Sequence, residues 1–497
     1  LVPSGFLLPL AMTAIAAGLC LLFPLREALN TPLLQRWQSG WELRTADRRD
    51  RLSLTIGFML LLAAGAIGWS AQSLSFALTG MACLLIGAVL CLPSLLRLLL
   101  SLLQRLVPPH RARLAWLIAD SRWLLGPASL ALMALTLALV ANSGLNTMIG
   151  SFREATDDWL EQRLAAQIYL SGDLQLAGLD EWLGGVDDRV RDVERFRTSI
   201  EREAPAGHPV GLEVVTLQEG EVFLDSVTLI KSENAARQRF ADAQGIYISE
   251  RAWRLDGWQP GDELTLCDSH TGLPVLGIYH DYGNPQSQWM ISQALFRQCW
   301  PEASPSGRAL YGPDDADWNA ISIGLRERFD LEADQMIDQA QLKAAGMAVF
   351  DRTFTVTQAL NALTLLVAGI GIFCAVSAIH HHRVGQQALL ASLGMTRRER
   401  GGLLLLQWGL LGLLCMVLVW PVGTILAGYL AGIITPVAFG WSFPLHFQWA
   451  HYLVLAVLAA ACLVLACLLY TSPSPRDSCI HLVCRLLLEK WGGGGGG

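Results

Sequence analysis

The sequence predicts a polytopic α-helical membrane protein that carries one stalked, mixed α/β domain outside the cytoplasm. Apolar residues make up 53% of the chain and charged residues only 16%, whereas soluble domains carry about 25% charged residues. The charge is also segregated, because long stretches near both ends hold almost none and the middle third reads like a globular protein. In addition, among the short loops between apolar segments, arginines are confined to alternate loops. These observations exclude an ordinary soluble enzyme.

Seven segments are apolar over about the 20 residues that a helix needs to cross the hydrocarbon core. They are residues 5–24, 54–71, 74–96, 123–145, 356–379, 403–425 and 452–466. They contain no Asp, Glu, Lys, Arg or His, and their polar residues include Asn142, Gln407 and a few Ser and Thr. Because an ion path needs ionisable groups inside the membrane, this composition disfavours ion-coupled transport.

The distribution of arginine predicts the orientation of these spans. Residues 25–53 carry six arginines, residues 97–122 five and residues 380–402 four, whereas residues 72–73 and 435–449 carry no Lys or Arg. Basic loops stay in the cytoplasm, and seven alternating crossings place all three on one side. We therefore expect a bacterial inner-membrane protein with residues 147–355 in the periplasm or outside.

The cytoplasmic segment 97–122 has two readings. Its second half mixes basic and apolar residues around Trp116, a composition typical of a helix that lies in the membrane interface. Alternatively, residues 110–122 are a cytoplasmic extension of the span 123–146.

The outer domain, residues 147–355, is predicted to be a mixed α/β domain on a helical stalk. Residues 151–167 and 331–350 mix polar and apolar positions and lead into the flanking spans. Between them, residues 211–216 and 221–230 read as a hairpin, and further strands are expected at residues 246–254, 262–266, 273–280 and 288–292. The excess of Asp and Glu suits a solvated surface better than a metal site.

Cys267 and Cys299 are the only cysteines of the outer domain. An extracytoplasmic compartment permits a disulfide between them, although spacing in sequence does not fix their distance in space. The cysteines within the spans are most simply interpreted as small apolar packing residues.

Motifs that carry enzyme chemistry are missing from the sequence. There is no phosphate-binding loop, no zinc-protease helix motif and no serine nucleophile elbow. His380, His381 and His382 suggest a metal cluster, but three consecutive helical residues point in different directions and suit the membrane interface. We expect no cofactor and no metal in this chain, and no nucleic-acid partner.

The cytoplasmic segment 385–398 is the most informative stretch. Gly385, Ala388, Leu389 and Leu393 fall on one helical face, and Gly394 can end that helix in a left-handed cap. A short helix with an exposed apolar face fits a partner groove, unless the face packs on the bilayer or on a neighbouring loop.

Residues 388–398, Ala-Leu-Leu-Ala-Ser-Leu-Gly-Met-Thr-Arg-Arg, closely resemble the coupling helix of FtsX-like (MacB-like, type VII) ABC transporter permeases. Residues 258–266 and 277–283 resemble outer-domain phrases of the large, duplicated members. Gln386 and Gln387 differ from many members, which carry a glutamate there. The resemblance implies a separate ABC ATPase dimer that holds the ATP and Mg²⁺. The residues it would contact are Leu389, Leu390, Leu393, Gly394, Met395, Thr396, Arg397 and Arg398.

The resemblance further implies export or extraction of a lipoprotein, lipid, peptide or hydrophobic compound, with membrane lipids and a periplasmic adaptor or lipoprotein as further partners. It assigns residues 1–24 to the last span of a truncated first permease unit, residues 54–96 to two linking spans, and residues 356–466 to three C-terminal spans. Residues 467–497 read as a translated sequencing adapter followed by glycines. The rival reading is a non-transporting sensor or scaffold that relays binding at its outer domain.

Overall fold

The computed structural model describes residues 41–471, with gaps at 109, 173–177, 218–226, 268–271, 314, 333–334, 383–388 and 448. In chain order the elements are α1 (Trp41–Ser70), α2 (Leu74–Leu106), α3 (Ala112–Arg163), β1 (Ile168–Ser171), α4 (Leu179–Val186), β2 (Arg191–Arg195), β3 (Arg197–Glu203), β4 (Pro209–Leu217), β5 (Leu229–Ser232), α5 (Ala236–Ala241), β6 (Ile246–Ser249), α6 (Glu250–Arg254), β7 (Glu263–Leu264), β8 (Leu273–Tyr279), β9 (Ser287–Ser292), α7 (Gln293–Cys299), β10 (Gly307–Tyr311), α8 (Trp318–Phe329), β11 (Met336–Asp338), α9 (Gln339–His382), α10 (Arg397–Tyr429), a π-helical turn (Leu430–Ile434), α11 (Thr435–Phe439) and α12 (Trp449–Thr471).

The described part of the chain has five helices long and apolar enough to cross a membrane. They lie within α1, α2, α3, α9 and the helical stretch Arg398–Phe439. The predicted span 452–466 falls in α12, which is 23 residues long, and the predicted span 5–24 lies outside the described residues. Together with the sheets between α3 and α9, these helices make the chain a polytopic membrane protein with an α/β domain.

The helix bounds decide one open alternative and correct one prediction. Residues 112–122 form no separate interfacial helix, because α3 is one helix of 52 residues that includes them; the extension reading is the correct one. The preceding helix, α2, ends at Leu106, two residues before Pro108, which lacks the backbone N–H that a continuing helix needs. The second stalk helix begins at Gln339 rather than at residue 331, because Met336–Asp338 pairs with β1 as a strand.

The outer domain contains two sheets. The smaller is antiparallel in the order β11-β1-β10-β2, and the larger has the order β3-β4-β9-β6-β8-β5 with β7 beside β8. Buried apolar side chains cover both faces of the larger sheet, including Trp289 on one face and Phe240 on the other. The domain is therefore mixed α/β, as the sequence predicted.

The described residues do not form the predicted hairpin of residues 211–216 with 221–230, of which residues 221–226 lie outside the described part of the chain. Strand β4 pairs with β3 and β9, whereas β5 pairs with β8. The local hairpin is β3–β4, closed by a turn in which Ala204 N donates to His208 O and Gly207 has φ +82°. Strand β3 alternates exposed and partly buried residues, so it lacked the apolar signal that predicted strands β4, β6, β8 and β9.

The membrane helices share one apolar core. Trp408, Leu411, Cys415 and Val419 of α10 are buried in it, together with Leu132 of α3 and other side chains. Two polar pairs lie between these helices: the Gln407 amide donates to the Asp120 carboxylate, and Asn142 Nδ2 donates to Asn361 O at 3.2 Å. An unpaired polar group in this setting would be costly, so these pairs fix α3 against α10 and α9.

Candidate functional site

The cytoplasmic turn, residues 389–398, joins α9 to α10. Leu393 N donates to Leu389 O at 3.1 Å and Met395 N donates to Leu390 O at 3.2 Å, which closes a short helical segment. Gly394 has φ +92°, a conformation that L-residues with a side chain adopt only with strain. The predicted left-handed cap at Gly394 is thus present.

A capping box then starts α10. The Glu399 N–H donates to Thr396 Oγ1 at 3.3 Å, and the Thr396 N–H donates to Glu399 Oε2 at 2.9 Å. Such reciprocal bonds satisfy two backbone donors that a helix start leaves free. The turn is therefore held by backbone geometry at Gly394 and by side-chain capping at Thr396, without cover over its apolar side chains.

Two of those apolar side chains face outward. Leu389 is 64% exposed and Leu393 is 75% exposed, whereas Leu390 and Met395 are half-buried and Arg398 is exposed. Covering both leucines would contribute about 2 kcal/mol each. The side chain of Arg397 lies outside the described residues. The structure thus brings the predicted contact residues together on one projecting turn.

A second site, which we call the outer joint, lies at the opposite end of the membrane helices, where the loop 440–446 meets the outer domain. At its centre the Glu250 side chain is fully buried. Glu250 Oε1 accepts from Arg254 Nε and from Ser442 Oγ, both at 2.7 Å. Glu250 Oε2 accepts from Ser442 N at 3.0 Å and lies 3.1 Å from His280 Nδ1.

These contacts set the ionisation of the buried carboxyl group. Burial by itself raises the pKa of Glu250, but hydrogen bonds with His280, Ser442 and Arg254 outweigh it and lower the pKa below its ordinary value. The carboxylate is therefore charged at neutral pH and ties the loop to α6. Removing one of these partners would leave an uncompensated buried charge, which is strongly destabilising.

Aromatic side chains complete the outer joint. Trp441 stacks on Phe152 of the stalk, with centroids 4.9 Å apart, and meets Tyr282 edge to face at 5.8 Å. Trp159 Nε1 donates to His280 O at 3.0 Å, which adds a stalk contact to the same group. The stalk, the outer domain and the loop 440–446 are thus packed as one unit.

Backbone contacts bring the loop close to α6. Arg251 Nη1 donates to Phe439 O at 3.0 Å. Gly440 has φ +83°, and a Cβ there would lie 2.9 Å from Arg251 Cγ. Sequence reasoning missed the outer joint, although a loop with four aromatic side chains and no Lys or Arg at residues 439–447 was a usable signal.

The outer-domain cysteines are paired in the structure. Cys267 and Cys299 form a disulfide with Cα atoms 5.7 Å apart. It connects the segment after β7 to the end of α7, near the buried side chains of Phe296 and Leu266. Among the described residues no group of three metal-ligating side chains is present. The side chains of His380, His381 and His382 lie outside the described residues.

Comparisons with known proteins bear on this arrangement. Residues 359–474 match the family model of the FtsX-like permease C-terminal domain. The chain is 28% identical over 356 residues to an uncharacterized ABC transporter permease protein of Mycobacterium tuberculosis, which covers 68% of this chain and 41% of that protein. The chain therefore spans about two fifths of that relative's length.

Two solved structures are similar at low sequence identity. The periplasmic region of MacB from Actinobacillus actinomycetemcomitans is 11% identical, with a TM-score of 0.27, over 36% of this chain and 92% of that one. The extracellular domain of the noncanonic ABC-type transporter YknZ from Gram-positive bacteria is 11% identical, with a TM-score of 0.25, over 35% of this chain and 98% of that one.

The region that contains the cytoplasmic turn and the helices around it is therefore similar to the C-terminal domain of FtsX-like permeases. The chain carries an FtsX-like permease C-terminal domain and is homologous to an ABC transporter permease. The cytoplasmic turn lies inside the matched region, between α9 and α10.

Proposed function

We propose that this chain is the permease subunit of an ABC transporter in a bacterial inner membrane. A separate ATPase dimer, which carries ATP and Mg²⁺, binds the cytoplasmic turn and drives motion of the outer domain. The chain has no catalytic role of its own. The resulting work is export or extraction of a lipoprotein, lipid, peptide or hydrophobic compound at the outer face of the membrane.

One observation carries this proposal: a single helical stretch leads from the cytoplasmic turn towards the outer joint. The stretch Arg398–Phe439 is 42 residues long, which corresponds to about 63 Å at the rise of an α-helix. It starts at the capped, exposed turn and ends where Arg251 and Glu250 hold the next residues. A displacement of the turn can therefore reach the outer domain through packed elements.

A second path supports the same relay. Helix α3 is continuous from Ala112 to Arg163, and Asp120 near its cytoplasmic end receives a hydrogen bond from Gln407 of α10. At the outer end of α3, Ser151 Oγ donates to His446 O at 3.1 Å. Helix α3 is thus linked to α10 near the cytoplasmic face and to the loop 440–446 at the outer face, and we expect these elements to move together.

The relay is tested by hydrogen exchange at the outer joint. The intact protein is reconstituted with its ATPase, and exchange of residues 440–446 is compared with and without ATP. We expect ATP to change the exchange of this loop, and Leu393→Asp to abolish the change while Leu393→Met retains it. An unchanged loop in an ATP-hydrolysing complex would contradict the relay. If no ATPase binds at all, the sensor or scaffold reading replaces it.

A further inference from the structure

A groove lies between α10 and α12, away from both the cytoplasmic turn and the outer joint. Its cavity volume is about 310 Å³. The lining is apolar throughout, apart from the indole of Trp408. The lining residues are Leu405, Trp408, Gly409, Gly412, Leu413, Met416, Ala456, Ala459, Ala460 and Val464.

The groove exists because small residues face each other across the two helices. Gly409 and Gly412 on α10 oppose Ala456, Ala459 and Ala460 on α12. A Cβ added at Gly409 would meet no atom within 4 Å, so the space beside this residue is open. Because neighbouring α10 side chains such as Leu411 and Cys415 are buried in the core, the opening is confined to one face of α10.

The groove opens towards the bilayer. Leu413 is 63% exposed and Val464 is 43% exposed at its edges, whereas Trp408 is 1% exposed at its base. Water does not fill an apolar cavity, and at this depth the surrounding solvent is lipid hydrocarbon. A flexible hydrocarbon chain is therefore the chemistry that suits the groove.

The cytoplasmic end of the groove carries a cation. Arg398 is exposed and lies seven residues before Leu405, which places both on the same face of α10, about 10 Å apart along the axis. Gly409, Gly412 and Met416 continue that face, and Met416 lies about 27 Å from Arg398. One leaflet including its headgroups is about 20 Å thick, so Arg398 at phosphate level puts the cytoplasmic half of the groove, at Leu405 and Gly409, at acyl-chain depth.

We propose that this groove binds one acyl chain of a phospholipid from the cytoplasmic leaflet, whose phosphate is held by Arg398. Arginine is well suited to phosphate, and basic sites between helices on the cytoplasmic side bind lipid headgroups. A phospholipid fits better than a further protein helix, because the groove extends over only part of α10 and has its charge at one end. Arg398 also belongs to the cytoplasmic turn, so the groove-filling variants, which leave the turn unchanged, test the proposal separately from ATPase binding.

The test measures phospholipid retained by the full-length protein. The protein is purified in detergent, washed exhaustively, and its bound phospholipid is counted by native mass spectrometry. We expect one retained phospholipid per wild-type chain. Gly409→Leu fills the groove and should reduce retention about ten-fold. Ala460→Leu fills the same space from α12 and serves as a second variant if Gly409→Leu does not fold.

The headgroup contact has its own arm in this experiment. Arg398→Gln should reduce phospholipid retention about ten-fold, whereas Arg398→Lys keeps a charge and should retain most of it. Gly371→Leu is the matched control, because a Cβ there also meets no atom within 4 Å but lies on α9, outside the groove lining. It should retain lipid like the wild type.

Four results would overturn the proposal. The wild type could retain no phospholipid, or both groove-filling variants could retain as much as Gly371→Leu. Finally, a cysteine at Gly409 could cross-link to a second protein rather than react with a lipid-soluble thiol reagent, which would show that a protein helix covers the groove. Equal loss of phospholipid from all variants, including the control Gly371→Leu, would show that the retained lipid is adventitious and is not held in the groove.

Discussion

The cytoplasmic turn and the outer joint stand at opposite ends of the same helices and are built in opposite ways. At the outer joint every group described around Glu250 has a partner within the chain, and its aromatic side chains are stacked on one another. At the turn, the backbone is fixed by Gly394 and Thr396, but Leu389 and Leu393 project into solvent. The groups of the outer joint bind one another, whereas the cytoplasmic turn has a fixed backbone and exposed leucine side chains.

This difference separates internal coupling from partner binding. A buried charge such as Glu250 is stable only because its partners are in place, so the outer joint holds the chain's own parts together. Exposed leucines on a fixed turn contribute nothing to the fold, yet they offer apolar area with little ordering cost to a partner. We therefore assign transmission to the outer joint and docking to the turn.

The largest expected effect comes from charging the docking surface. Leu393→Asp removes the contribution of one leucine and places an unpaired carboxylate in the interface, so ATPase affinity should fall about 1000-fold. Binding of the purified ATPase to the reconstituted protein measures this. Leu393→Met keeps the apolar volume and should bind almost normally. Equal binding by both variants would show that the turn is not the docking site.

At the outer joint, removal of the central carboxylate should be costly for the fold. Glu250→Ala leaves Arg254 and the Ser442 N–H without their acceptor, and we expect a loss of about 3 kcal/mol, measured by thermal unfolding. Glu302→Ala, at an exposed position, is the control. The Leu393 variants should unfold like the wild type. If Glu250→Ala does so too, the comparison between the two sites fails.

The same carboxylate gives a pH dependence. Because the folded pKa of Glu250 is lowered below an unfolded value of about 4.3, its stabilisation is present above that unfolded value. It is lost as the pH falls through the folded pKa. The stability gap between wild type and Glu250→Gln should therefore stay constant from neutral pH to about pH 5 and shrink at more acidic pH. A gap that closes near neutral pH would contradict this account.

The disulfide should contribute a smaller amount to the outer domain. Its cysteines are 32 residues apart in sequence, and Cys299→Ser should cost about 2–4 kcal/mol of outer-domain stability. Thiol labelling of the unfolded, unreduced protein tests the pairing, since Cys267 becomes reactive only in the variant. ATPase binding at the turn should be unchanged, which separates the two ends of the molecule.

The smallest effect is expected from backbone strain at the turn. Gly394→Ala forces an alanine into φ +92° and should weaken ATPase binding by about 1 kcal/mol, roughly five-fold. Gly402→Ala, within α10 where a Cβ meets no atom within 4 Å, should leave binding unchanged. A larger loss at Gly402 than at Gly394 would show that the turn's shape does not matter.

Sequence alone predicted the features that follow from local chemistry. Hydropathy predicted the membrane-spanning helices of the described residues, and the Leu-Gly pair at residues 393–394 predicted the left-handed cap at Gly394. Long-range strand pairing could not be predicted. Strand β5 follows β4 in sequence but pairs with β8, and the apolar pattern of a strand does not indicate which strand it pairs with. The outer joint was also missed, because Glu250 and Ser442 are separated by 192 residues and neither belongs to a motif.

The central claim, that the cytoplasmic turn is a docking site for an ATPase, is tested most directly by photo-cross-linking. A photoreactive phenylalanine analogue is placed at Leu393 in the full-length protein, and at Leu366 of α9 as an exposed apolar control. We predict an adduct at position 393 with a protein whose peptides contain an ABC ATPase nucleotide-binding motif, and none at position 366. No ATPase adduct at position 393 in membranes that contain the ATPase would contradict the account.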